Sequence, residues 1–182
     1  MEIIGVIHEE GNVNLIDAVL TYIDARYPNL HSIMLETPPD YEYFQKHGWN
    51  VPMWFSDVAE YYKLKRVRII HGDIKRGELM GKSSEEVLEI LQRDLAEYNR
   101  LFSFGMCKGF FNGNLLRNRN KGLDSMFQQE KPEVSVVGAV HGKYLKKRHP
   151  ETYFSYFKVP SLIDRLWDWT ISGVADKTYI IK

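Results

Sequence analysis

The chain has 182 residues with 24 Lys and Arg against 24 Asp and Glu, so its formal charge at neutral pH is zero. That balance argues against a dedicated nucleic-acid or anionic-membrane binder, which carries a basic excess. One cysteine, Cys107, excludes an internal disulfide and any cysteine-based zinc cluster. No apolar run approaches the ~18 residues of a membrane span. Met1 runs straight into EIIGVIH with none of the features of a signal peptide. The expectation is one cytoplasmic domain over residues 1–182, large enough for a sizeable core.

Taken in chain order, EIIGVIH (2–8) is rich in β-branched residues and reads as a buried strand. Residues 13–26 place Val13, Ile16, Val19, Leu20 and Ile23 on one helical face, with Asn12 as a cap. HSIMLE (31–36) reads as a second strand, stopped by Thr37-Pro38-Pro39-Asp40. After an amphipathic stretch over 53–64, VRIIH (67–71) is a third strand. Ser83 and Glu86 have capping-box spacing, and Val87, Leu88, Leu91 and Leu95 predict one helix to about residue 101. The Gly- and Asn-rich stretch 104–121 fits either a loop or a broken helical hairpin. VSVVGAVH (134–141) is a fourth buried strand; 152–159 and 177–182 are later strands flanking a helix from about Ser161. Alternating strands and helices predict an α/β fold with a mostly parallel central sheet and helices on both faces.

Four of these strands end in polar, ligand-type side chains: His8, Glu36, His71 and His141. Parallel sheets bind ligands beyond the carboxyl ends of their strands. A His-Glu-His set at that edge suits a divalent metal or general acid–base chemistry. Asp40 and Asp73, just beyond strand ends, are either supporting groups or plain loop residues. Two of the histidines close a Gly-x-x-His pattern, in Gly5–His8 and Gly138–His141. Random placement would give about 0.4 such patterns, so two at the ends of apolar runs carry weight.

GVIH, the acid in IMLE, an Arg-Asn pair in RNKGL and GAVH, in that order, resemble the TraB/PrgY–Tiki family. That family sits with the erythromycin esterases and the haem-binding ChaN-like proteins, and the resemblance covers residues 3–145. It implies that Glu36 is the family acid. It also implies that Arg119-Asn120, rather than Arg117-Asn118, is the Arg-Asn motif, because Leu123 and Phe127 then fall at the family's apolar positions. Its members include metal-dependent peptidases, metal-independent esterases and binding proteins.

The leading expectation is therefore a metal-dependent hydrolase of peptidase or amidase type acting on a small molecule or peptide. His8, Glu36 and His141 hold Mn, Co or Zn, Arg119 stabilises developing negative charge or anchors substrate, and Asn120 completes the motif. Two alternatives stand beside it. One is a metal-free esterase with histidine as general base and Glu36 orienting it. The other is a protein that binds a small molecule, a peptide or haem without turnover, its pocket lined by Tyr41, Tyr43 and Tyr144. No nucleic-acid or membrane partner is expected. The basic runs RNRNK and KYLKKRH are short and lack an accompanying binding motif. Cys107 reads as a small packing residue. Trp167 and Trp169 cannot share the core face of one helix, so one is expected at the surface, where it would mark an interface such as that of a homo-oligomer.

Overall fold

A computed structural model describes residues 1–7, 13–49, 53–111, 114–158, 171 and 173–181. Its elements are β1 (Glu2–Val6), α1 (Val13–Arg26), β2 (Ser32–Leu35), α2 (Tyr41–Lys46), α3 (Met53–Leu64), β3 (Arg68–His71), α4 (Arg76–Met80), α5 (Ser84–Arg93), α6 (Leu95–Phe111), α7 (Asn114–Glu130), β4 (Val134–Gly138), α8 (Ala139–Arg148), β5 (Tyr153–Lys158) and β6 (Lys177–Ile180). The six strands form one sheet in the order β3-β2-β4-β1-β5-β6, and every pairing is parallel.

Side chains of a strand alternate between faces, and each face of this sheet has its own core. Ile4, Val6, Ile33, Leu35, Val134 and Val136 point to one side, where Leu15, Val19 and Ile23 of α1 and Phe55, Val58 and Tyr62 of α3 cover them. Ile3, Met34, Ile70 and Val137 point to the other, against Leu123 and Phe127 of α7 and Leu145 of α8. A third apolar cluster joins Phe44 of α2, Val87, Leu88, Ile90 and Leu91 of α5, and Tyr98 of α6. It belongs to the chain inserted after the carboxyl ends of β2 and β3.

The register aligns the carboxyl ends of four strands. Val6 lies opposite Gly138, while Leu35 lies opposite both Val136 and His71. Beyond the strands, Gly72 N–H donates to Leu35 O at 3.0 Å and Asp73 N–H to Thr37 O at 3.0 Å, tying the loops after β2 and β3 together.

Several local expectations are corrected. The apolar run 134–141 is not one strand: β4 ends at Gly138, whose φ of −55° and ψ of 142° turn the chain into α8. His141 therefore sits in the first turn of a helix rather than at a strand end. An apolar run by itself does not distinguish a buried strand from the buried start of a helix. The single helix expected to residue 101 is two, because Asp94 adopts an extended conformation. Its Oδ1 accepts the N–H groups of Ala96 and Glu97, both at 3.0 Å, so it restarts the helix as an N-cap. The stretch 104–121 takes the helical-hairpin form, α6 followed by α7. Helices α2, α4 and α8 are additions that the sequence pattern did not reveal. Cys107 is exposed on α6 and is not a packing residue. The helix expected from Ser161, with Trp167 and Trp169, lies outside the described residues apart from the buried Ile171.

Helix α8 can cross closely over β1 because glycines meet there. A Cβ on Gly5 would stand 2.7 Å from Phe154 Cε2 and 3.2 Å from the Ala139 Cα, and one on Gly142 would stand 2.8 Å from Phe154 Cε2. Bare backbone on both sides lets the Phe154 ring fill the gap and brings the first turn of α8, with His141, down to the sheet edge.

Candidate functional site

Glu36 directly follows β2 and is 4% exposed. A carboxylate so placed must be satisfied by donors or cations. Its Oε2 accepts the backbone N–H of Gly138 at 2.5 Å, and its Oε1 accepts a hydrogen bond from Arg119 Nη2. A Cβ at Gly138 would stand 2.9 Å from Glu36 Oε2, so the absence of a side chain there makes room for the acid.

Arg119 comes from the middle of α7, which shows the site one row of side chains. Arg119, Asn120, Leu123 and Phe127 face inward, whereas Arg117 and Asn118 are exposed. This is the helical spacing i, i+1, i+4, i+8. Besides Glu36, Arg119 binds Asp73 side-on. Its Nε donates to both Asp73 oxygens at 2.9 and 3.0 Å, and its Nη2 to Oδ2 at 2.6 Å. Burial pulls the guanidinium pKa down, yet Glu36 and Asp73 outweigh it and the net shift is upward. Asp73, which the sequence left undecided between a supporting group and a loop residue, thus locks the arginine that holds the acid. No periodicity marks it, because it lies in the loop after β3.

His141 is buried, and its Nδ1 lies 2.7 Å from Asn120 Oδ1. An amide oxygen only accepts, so Nδ1 carries the proton in this contact and Nε2 is the ring nitrogen turned toward Glu36. That nitrogen stands 3.4 Å from Glu36 Oε1. Glu36, Arg119, Asn120 and His141 therefore form one cluster drawn from three distant stretches of chain. His8 lies outside the described residues, as do Glu9 and Glu10.

His71, at the end of β3, is turned away from this cluster's hydrogen bonds. Its Nδ1 is 2.6 Å from Thr37 Oγ1, and its ring lies 5.3 Å from that of the buried Tyr41. Burial lowers its pKa, and Lys63 adds to that against the opposing field of Glu42. Asp40 supports the insertion instead: it accepts the backbone N–H of Arg76 at 3.2 Å and the Ser84 hydroxyl at 2.5 Å. Tyr43 packs edge-on against Phe44, and Tyr144 packs against the core beneath α8. Three members of the run KYLKKRH are engaged within the chain. Lys146 binds the backbone oxygens of Pro150 and Thr152 together with Asp176, while Arg148 and His149 bind Asp124.

Among the described residues, no group of three or more His, Cys, Asp or Glu side chains is placed to hold a metal ion. Two groups of the expected set, Glu36 Oε1 and His141 Nε2, do lie 3.4 Å apart, and Asn120 holds the histidine through Nδ1. No described helix is long and apolar enough to cross a membrane. Comparison of the chain with protein-family models, with curated proteins and with solved structures finds no match.

Proposed function

We propose that the protein is a metal-dependent hydrolase of the TraB/PrgY–Tiki type, acting on an amide of a small molecule or peptide in the cytoplasm. His8, Glu36 and His141 would hold Mn, Co or Zn. The observation that supports this reading is the cluster itself. The acid, the Arg-Asn pair and the second Gly-x-x-His histidine touch one another, with His141 Nδ1 on Asn120 and Nε2 facing Glu36. A divalent cation at such a site supplies an acidified water and polarises the scissile carbonyl.

The chain's own groups have distinct roles in this scheme. Asn120 orients His141, so that Nε2 is the atom that coordinates or takes a proton. Asp73 holds Arg119 side-on, and Arg119 with Gly138 N–H holds Glu36. Arg119 Nη1 has no hydrogen-bond partner among the described residues, and it would donate to the negative charge that develops on the substrate oxygen. The arrangement favours this over the esterase reading on one point. In that reading Glu36 orients the histidine, whereas here Asn120 takes the orienting position.

The test is metal analysis of the purified protein with hydrolysis assays on amide, ester and peptide panels before and after chelation. Bound metal, loss of hydrolysis on chelation and its return with Mn, Co or Zn are expected. His8→Ala and His141→Ala should each abolish both, and the double variant should be no worse than either alone. Full activity in metal-free protein would refute the metal scheme. No turnover, with a Soret band on haemin titration, would replace the hydrolase by a binding protein.

A further inference from the structure

Arg76, at the start of α4, is only 8% exposed, yet no carboxylate among the described residues lies within ion-pair distance of it. Its Nη1 donates to the Tyr98 hydroxyl at 2.5 Å, and its Cζ lies 5.9 Å from the Phe44 ring centre and 5.3 Å from that of Phe102. The Nε is fully buried without a hydrogen-bond partner, and Nη2 has none among the described residues. Buried cations are ordinarily paired, because aromatic faces and one hydroxyl do not replace the lost hydration.

The unmatched edge has a specific shape. Nε and Nη2 form the side-on fork of a guanidinium, which accepts the two oxygens of one oxyanion. The same molecule provides the comparison: Arg119 presents that same edge to Asp73, and there both carboxylate oxygens are engaged. Three residues beyond Asp73, Arg76 has the same edge with no hydrogen-bond acceptor on it among the described residues. Asp40 does not fill it. That carboxylate reaches the Arg76 backbone N–H and Ser84, not the guanidinium.

We propose that Arg76 is a binding residue for the carboxylate of an organic ligand, held by the Nε–Nη2 fork between Phe44 and Phe102. The neighbouring negative charge of Asp40 favours a singly charged carboxylate over a phosphate dianion, and the two rings favour an apolar body attached to it. The site lies on the chain leaving the carboxyl ends of β2 and β3, the edge from which Glu36 and Asp73 also project. Its occupancy is measured without turnover, so the inference stands or falls separately from the hydrolase.

The experiment is calorimetric titration of the full chain with 3-phenylpropionate, its neutral amide 3-phenylpropionamide and inorganic phosphate, with Tm recorded in parallel. The acid should bind and raise Tm, the amide should not, and phosphate should bind more weakly than the acid. Arg76→Met should fold with an unchanged or higher Tm in ligand-free buffer, since it removes an unpaired buried charge, and should weaken binding of the acid by at least ~30-fold. Arg76→Lys keeps the charge without the fork and should weaken it by about 10-fold. Equal binding of acid and amide, tighter binding of phosphate, undiminished binding by Arg76→Lys, or a ligand-free Arg76→Met that melts well below the parent would each overturn the proposal. The last result would make Arg76 a structural cation.

Discussion

Replacing Arg119 by Met tests whether the buried charge cluster is a cooperative unit. Arg119 lies between Glu36, almost fully buried, and Asp73, whose side chain is 11% exposed. Its removal leaves two carboxylates facing each other with their shared cation gone. Breaking a buried pair in this way costs about 3–5 kcal/mol, because the remaining charge is uncompensated. A domain of this size has roughly 5–15 kcal/mol of stability, so the loss is a large share of the total. At about 2–4 °C per kcal/mol, Tm should fall by on the order of 6–20 °C. Urea unfolding at neutral pH, followed by circular dichroism, measures this directly. The triple variant Glu36→Gln, Asp73→Asn, Arg119→Met removes all three charges while keeping shape, and should recover at least half of the loss. A loss below about 1 kcal/mol in Arg119→Met would mean that the arginine behaves as a surface ion pair. A triple variant no more stable than the single one would refute the shared-cation argument.

The other predictions concern single positions. Gly138→Ala forces a Cβ to 2.9 Å from Glu36 Oε2 and should cost about 1–3 kcal/mol, whereas Gly122→Ala meets nothing nearer than Ile74 Cγ2 at 3.4 Å and, mid-helix, should gain about 0.5–1 kcal/mol. Equal effects in chemical denaturation would refute the packing reading of the second Gly-x-x-His motif. His71 has its pKa lowered by burial, so the unfolded chain binds more protons just below the usual 6.5. The stability held above pH 6.5 should then be lost as pH falls through that value towards the depressed folded pKa. His71→Gln should flatten this part of a pH–stability curve, and parallel curves for the two proteins would show that His71 is not its source.

Much of the scaffold follows from short-range chemistry. Runs such as Ile3–Val6 and Val134–Val137 carry apolar side chains to both faces, which is what a strand covered on both faces requires, and such strands are typical of parallel sheets. The preference for Arg119-Asn120 over Arg117-Asn118 rests on the family resemblance, since the stretch 104–121 fits a loop as well as a helix; the inward row Arg119, Asn120, Leu123, Phe127 is a property of α7 in the structure. Glu36 was legible in the chain, since a carboxylate at the end of a buried strand has to meet a partner. The partners themselves are decided by the tertiary fold. Asp73 reaches Arg119 across 46 residues of sequence, and Gly138 N–H reaches Glu36 across 102. Neither pairing leaves a periodic trace, because each depends on the register that brings β2, β3 and β4 to a common edge. His141 shows the same division. Its residue type and its place after an apolar run are visible in the chain, but its seat in the first turn of α8 depends on the glycine contact over β1 and the Phe154 ring. Arg76 is the extreme case, since no motif or periodicity in the sequence marks it. Only the packing of α2, α4 and α6 around it buries its Nε without supplying a counter-charge among the described residues.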